Sequence, residues 1–189
     1  MENDRVTPLF LLRTVLFPQG LLALRVFEPR YLDMISASLR HGEDFGICLI
    51  RSGEEIGQGA VPAGVGTLAR VVDWGGEAGV LHIQVEGQER FSIVDWEYQR
   101  QLAQARIKCW PAEPILPIPR EVGDLLPILA ELLGDAGAVR QLDASRAGMH
   151  LAQALPAPAE DKQRLLELQD PLERLRRIRA LLRGEGAQA

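Results

Sequence analysis

A chain of 189 residues that is 47% hydrophobic and 25% charged has an ordinary soluble composition, long enough to bury one large core or two smaller ones, which excludes extended disorder. Its net charge of −5 excludes general affinity for polyanions, because nonspecific nucleic-acid binding rests on Lys and Arg neutralising phosphates. No apolar stretch reaches the roughly 18 to 20 residues that span a bilayer, and the start MENDRVTPLF is acidic and polar where a secretory leader is basic.

The first hundred or so residues read mostly as strands. LFLL (9–12) and LLALRV (21–26) are short apolar runs separated by Phe17-Pro18-Gln19-Gly20, whose Pro and Gly suit a turn. Glu28 precedes Pro29, and a proline at the first helical position loses nothing, since its missing N–H would have had no intrahelical partner. Tyr31, Leu32, Ile35, Ser38 and Leu39 then recur at helical spacing up to Gly42, so a helix is expected over 29–41. FGICLI (45–50) is continuous and expected to be a fully buried strand.

VLHIQVE (80–86) and ARIKCW (105–110) alternate, placing Leu81, Ile83 and Val85, then Ala105, Ile107 and Cys109, on one face each. Gly75 to Gly79 separates TLARVVDW from VLHIQVE as a hairpin loop, and Gly87 is expected to end the second strand before RFSIVDW. Residues 1–110 therefore read as a mostly antiparallel β domain with one helix.

PAEPILPIPR carries four prolines and reads as a stiff extended linker over 111–119. A helical subdomain is expected over 120–183. EVGDLLPILAELL and SRAGMHLAQAL carry apolar stripes, with Pro127 kinking or breaking the first. Asp170-Pro171-Leu172-Glu173 combines a cap, a first-turn proline and an acidic residue. Leu165, Leu168, Leu172, Leu175, Ile178 and Leu182 form a stripe expected to pack on helices 120–133 and 144–154. Residues 184–189 read as a disordered tail. The fold class is α+β.

The sequence carries none of the common catalytic motifs. GQGAVPAGVG (57–66) is rich in glycine but lacks the Lys of a phosphate loop, and reads as a loop entering a strand. The two lysines, Lys108 and Lys162, sit in no nucleophile motif, and there is no G-x-S-x-G. His41, His82 and His150 are isolated, so no metal site is expected. The pairs Glu43-Asp44, Glu54-Glu55 and Glu160-Asp161 fall in loops or helix starts, where they are solvated or suit the helix dipole. Cys48 and Cys109 form no disulfide framework and read as buried thiols in a reducing cytoplasm. The scarcity of Lys beside abundant Arg suits a GC-rich bacterial genome. Trp74, Trp96 and Trp110 follow or end strands, where an indole caps a core or offers a flat binding surface.

The opening PLFLLRTVLFPQGLLALRVFEPRYLDMISASLRHGEDFGICL, with its apolar strand, F-P turn, second strand and E-P-R-Y helix, resembles the N-terminal, substrate-recognition domain of Lon proteases. The likeness continues through VGTLARVV, VEGQERFSI and LPAPAEDKQRLLELQDPLERLRRI, about residues 8 to 183. The resemblance implies a β pseudobarrel of the PUA-like kind followed by helices, and extends to the corresponding region of cereblon without its cysteine-rich part. In this setting Phe17, Pro18, Phe27, Glu28, Pro29, Arg30 and Tyr31 form a structural motif, with Arg30 bonding carboxylate or carbonyl groups nearby. Lon proteases carry an ATPase module and a Ser-Lys peptidase after this region, and neither is expected in this chain, which looks free-standing.

The resemblance thus implies a noncatalytic module without cofactor that binds unfolded or exposed apolar polypeptide, beside a protease or chaperone component. Trp74, Trp96 and Tyr98 are the candidate peptide surface. The alternative is RNA binding, which PUA-like folds often perform, since residues 172–183 carry five arginines against Glu173 alone. Positive charge late in a helix also suits the dipole, which is the plainer explanation of that run. A degenerate enzyme ranks below both.

Overall fold

The turn Phe17-Pro18-Gln19-Gly20 shows how sequence becomes architecture in this chain. Pro18 presets φ at the second position, Gln19 takes a left-handed φ of 64° at the third, and the Gly20 N–H donates to the Phe17 carbonyl at 2.9 Å. This is the type II pattern, and it reverses the chain between two strands. The computed structural model describes residues 5–54, 59–77 and 80–184, divided into two compact units, Met1–Pro111 and Ala112–Ala189. The expected hairpin-loop residues Ala78 and Gly79, the acidic Glu55, residues 57 and 58 of the glycine-rich stretch, the first four residues and 185–189 of the tail lie outside the described residues.

The first unit runs β1 (Arg5–Leu12), β2 (Leu21–Val26), α1 (Pro29–His41), β3 (Phe45–Ser52), β4 (Val61–Pro62), β5 (Val65–Glu77), β6 (Val80–Gln99) and β7 (Leu102–Cys109). Antiparallel pairings link β1 to β7, β7 to β6, β6 to β5 and β5 to β3. A parallel pairing, Leu9 opposite Gly46 through Leu12 opposite Leu49, returns β3 to β1. Five strands therefore close on themselves as a pseudobarrel, while β2 and β4 hang from β6 and β3.

Closure buries β1 and β3 on both faces, which is why LFLL and FGICLI are continuous apolar runs. Phe10, Leu12, Phe45 and Ile47 enter one core together with Val26, Ile83 and Val85. Leu9, Leu11, Cys48 and Ile50 enter another with Leu68, Phe91 and Ile107. Helix α1 covers the first core. Glu28 is its N-cap, Pro29 opens it, and Gly42 closes it at φ 67° with its N–H on the Ser38 carbonyl. Tyr31, Met34 and Ile35 are its buried face, with Tyr31 stacked 4.0 Å from Phe10. Leu39, on the expected stripe, is 40% exposed, while Met34, outside that stripe, is buried.

Gly87 does not end a strand, contrary to its reading as a breaker. β6 runs through it for 20 residues, because another backbone occupies the space a side chain would need. A Cβ on Gly87 would lie 2.1 Å from the Phe17 carbonyl oxygen, and Gly87 exchanges backbone bonds with Gln19 and Gly20 at 2.7 and 2.9 Å. The register against β5 shifts beside it, bending β6 so that it leaves β2 and meets β7.

The second unit contains a 3₁₀ segment (Arg120–Leu125), α2 (Leu126–Leu133), α3 (Ala136–Val139), α4 (Ala144–Ala154), α5 (Ala159–Glu167) and α6 (Pro171–Leu182). Pro127 sits in the first turn of α2, so it marks a boundary between helical segments. Asp170 caps α6 through the N–H groups of Leu172 and Glu173. α6 packs on α4 and on the 3₁₀ segment. Leu165, Leu175 and Ile178 are buried, but Leu182 is 41% exposed.

The proline-rich stretch carries no helix or strand, yet from residue 112 on it is fastened within the helical unit. The Leu116 carbonyl accepts from Ala144 N–H at 2.8 Å. Glu113 is paired with Arg174, whose side chain is 0% exposed. Arg174 also donates Nε to the Leu165 carbonyl at 3.1 Å, and Ser145 hydroxyl donates to Glu113 at 2.5 Å. A buried carboxylate anchors this stretch where composition suggested a plain spacer.

Candidate functional site

In the E-P-R-Y segment, Arg30 Nη2 pairs with Glu28 at 2.8 Å, and its Nη1 donates to the Gln101 carbonyl at 2.9 Å. Its guanidinium also lies 4.6 Å from the Tyr31 ring. The arginine therefore ties the start of α1 to the tight β6–β7 turn, in which Arg100 and Gln101 both hold left-handed φ, 49° and 69°. Phe17 is fully buried and Tyr31 nearly so. Phe27 departs from this motif: it is 59% exposed, so its ring is not part of the architecture its neighbours build.

Phe27 stands at the mouth of a groove of about 790 Å³. Ala23 to Val26 of β2, with Phe27 after it, form one wall, and the end of β1 with the start of α1 the other. Leu12, Leu24, Val26 and Tyr31 give it an apolar floor; Arg13, Arg25 and Glu28 supply charge at its margin. Arg13 and Glu54 pair there at 3.2 Å with both side chains exposed, a contact worth little in water. Nothing in the local sequence marks this groove, because Leu12 and Leu24 read only as strand residues. The signal that could have found it is Phe27, an aromatic after the strand and one residue before the cap.

A second cavity of about 540 Å³ lies between α1 and the β6–β7 turn. Arg30, Asp33, Asp44 and Arg100 line it, with Met34 and Phe45 as apolar contacts. Asp44 holds Arg70 through two bonds of 3.0 Å. This cavity is a mixed-charge cleft with a smaller apolar floor.

The three aromatic candidates separate. Trp74 lies inside β5 opposite Ile83 and is 62% exposed, continuing the apolar row Leu24–Ile83 outward across the sheet. Trp96 and Tyr98 meet edge to face with centroids 5.5 Å apart, half-buried against the second core. The Tyr98 hydroxyl donates to the Ala60 carbonyl at 2.8 Å. Their positions on β6 lie more than ten residues beyond Ile83, about 40 Å of strand. The structure therefore joins Trp96 with Tyr98 and leaves Trp74 apart. Trp110 also packs inward, with Nε1 donating to Ser92 at 2.6 Å and Arg90 over its ring at 4.5 Å.

Four of the five arginines in the basic run at 172–183 are held by acidic side chains. Arg174 is buried on Glu113, Arg176 pairs with Glu121, and Arg179 and Arg183 converge on Asp124 at 2.9 and 2.7 Å. Those two arginines hold the Asp124 carboxyl below the usual range. Local charge counting misses this because the partners lie more than fifty residues away.

No group of three or more His, Cys, Asp or Glu among the described residues could hold a metal ion. Burial pushes the Cys48 thiol up, keeping it protonated, and Cys109 is half-buried where full burial was expected. Burial pulls Lys162 down, but its Nζ donates to the Gln153 carbonyl at 2.7 Å, which is a structural bond. No helix among the described residues is long and apolar enough to cross a membrane.

Comparison with known proteins agrees with this architecture. The structure is similar to that of a Lon N-terminal domain protein from Xanthomonas campestris, with a TM-score of 0.80 and 32% identity over 93% of this chain and 98% of that one. The N-terminal domain of a Lon protease from the Mycobacterium avium complex shares the fold at a TM-score of 0.67 and 18% identity, over 92% of this chain and 96% of that one. A Lon protease of Anaeromyxobacter dehalogenans is 28% identical over 94% of this chain, which spans 23% of that protein's length. Residues 6–184 match the model of the ATP-dependent protease La (LON) substrate-binding domain, and the chain belongs to that family.

Proposed function

We propose that this chain is a noncatalytic polypeptide-binding module that takes unfolded or exposed apolar segments on its β unit, working beside a protease or chaperone component in the cytoplasm. The observation that supports this reading most is the groove along β2: about 790 Å³, open to solvent, with an apolar floor and the exposed Phe27 at its mouth. The exposed ring of Phe27 and the partly buried Leu24 beside this concavity suit a partner's apolar side chains. Trp74 is the second exposed aromatic and is assigned to ligand contact, while Trp96 and Tyr98 are assigned to the core. The pairing of Arg174, Arg176, Arg179 and Arg183 with acidic side chains weighs against the RNA alternative.

A titration of a reduced, carboxymethylated polypeptide against its folded parent tests the reading. Binding of the unfolded form alone, weakened by Phe27→Ala, is the expected result. Equal affinity for both forms, or for neither, contradicts it.

A further inference from the structure

Closing the pseudobarrel uses both edges of most strands, so the few unpaired edges are informative. Among the described residues, β4 is an edge of two residues ending in Pro62. The outer half of β5 is another, interrupted by a register shift between Val71 and Asp73. Proline and bulges are the usual devices that blunt a sheet edge. β2 has neither. Its six residues LLALRV pair with β6 in unbroken register from Leu21–Glu86 to Val26–Leu81, and no other strand lies on its second side among the described residues.

The groove runs along that unpaired side. It touches four consecutive residues of β2, Ala23 to Val26, and then Phe27 beyond the strand's end. Successive strand residues point to opposite faces, so a cavity that meets all of them lies at the strand's edge.

From this juxtaposition of open edge and apolar groove, we infer that the ligand binds by adding a β-strand to β2. This rests on the polypeptide-binding reading and names its mode. The N–H and C=O groups on that side of β2, with no strand against them among the described residues, suit an extended backbone, which selects a polypeptide segment over a small molecule or a helix. Alternate ligand side chains then face Leu12, Leu24 and Tyr31, and those between them face solvent near Arg25. The recognised pattern is an apolar residue at every second position, with no requirement for a particular sequence. Main-chain bonds carry the affinity, as suits a module that meets many unfolded chains.

The test uses a capped ten-residue peptide of alternating leucine and serine, with two N-methylated versions: one methylated on the leucines, the other on the serines. In an added strand the N–H groups of alternate residues point toward β2 and the rest away. One methylated peptide is expected to lose at least about tenfold in affinity and the other to bind like the parent. Hydrogen exchange at alternate amides within residues 21–26 slows when the parent peptide is bound. The carboxymethylated polypeptide is measured in parallel. If it binds while both methylated peptides match the parent, or while the β2 amides stay unprotected, the strand-addition mode is wrong and the polypeptide reading stands. If neither polypeptide nor peptide binds, the reading itself fails. Protection of β2 that grows with protein concentration without peptide, together with a dimeric mass, assigns the edge to a second copy of this chain and overturns the inference.

Discussion

Arg30 and Gln101 meet across 71 residues of sequence, the guanidinium donating to the turn carbonyl at 2.9 Å. The carbonyl belongs to a turn whose two central residues, Arg100 and Gln101, hold a backbone conformation that side chains other than glycine's adopt at a cost of about 1 to 2 kcal/mol each. The bond from Arg30 offsets part of that cost. Arg30→Ala is expected to destabilise the first unit by about 1.5 to 3 kcal/mol, and Arg30→Lys to recover little, since one ammonium cannot span Glu28 and Gln101 as a planar fork does. Gln101→Gly should raise stability. Thermal unfolding of the three variants checks this; a neutral Arg30→Ala contradicts it.

Arg174 and Glu113 form the corresponding link in the helical unit, with side chains 0% and 7% exposed. Removing one partner strands the other charge in the interior, so Arg174→Ala or Glu113→Ala should each cost about 3 to 5 kcal/mol. Arg174→Ala together with Glu113→Ala should cost much less than the sum of the single changes. A double-mutant cycle in chemical denaturation measures the coupling, and strictly additive losses would show that the pair does not act as a unit.

Burial, then Arg146 one turn before it, push His150 below the ordinary imidazole range. The unfolded chain binds that proton more readily, so this contribution to stability is complete above the unfolded pKa of about 6.5 and is lost as pH falls through it toward the folded value. Melting temperatures at pH 8 and pH 5.5 should differ more in the native chain than in His150→Gln. Parallel shifts in the two proteins would remove His150 as the source.

Gly87→Ala should be among the most damaging single-methyl additions. Its Cβ would meet a backbone oxygen at 2.1 Å, and neither the Phe17 turn nor β6 can retreat without losing their mutual hydrogen bonds. A loss of roughly 3 kcal/mol or more is expected. Unchanged denaturation would show that the turn is free to move.

What the sequence revealed and what it hid divide along contact distance. α1 was legible because Pro29 and Gly42 set its ends locally, and β3 because burial on both faces leaves a continuous apolar run. Gly87 misled because its reason is the Phe17 backbone, 70 residues earlier in the chain. Arg174 looked like one more exposed cation because Glu113 is 61 residues away. The groove was hidden for the same reason: Leu12, Leu24 and Tyr31 become one floor only after β2 and α1 are placed against β1.

The central claim, polypeptide recognition through apolar area, is tested most directly by one salt series. The carboxymethylated polypeptide and a single-stranded RNA are each titrated at low and high salt against the native chain and a Trp96→Ala variant with confirmed folding. Apolar burial responds weakly to salt, whereas each phosphate contact releases counterions and makes affinity fall steeply. Polypeptide binding is expected to change little between the two salts and to survive in Trp96→Ala, because that indole packs inward with Tyr98. Tight RNA binding lost at high salt, with no polypeptide binding at either, would contradict it.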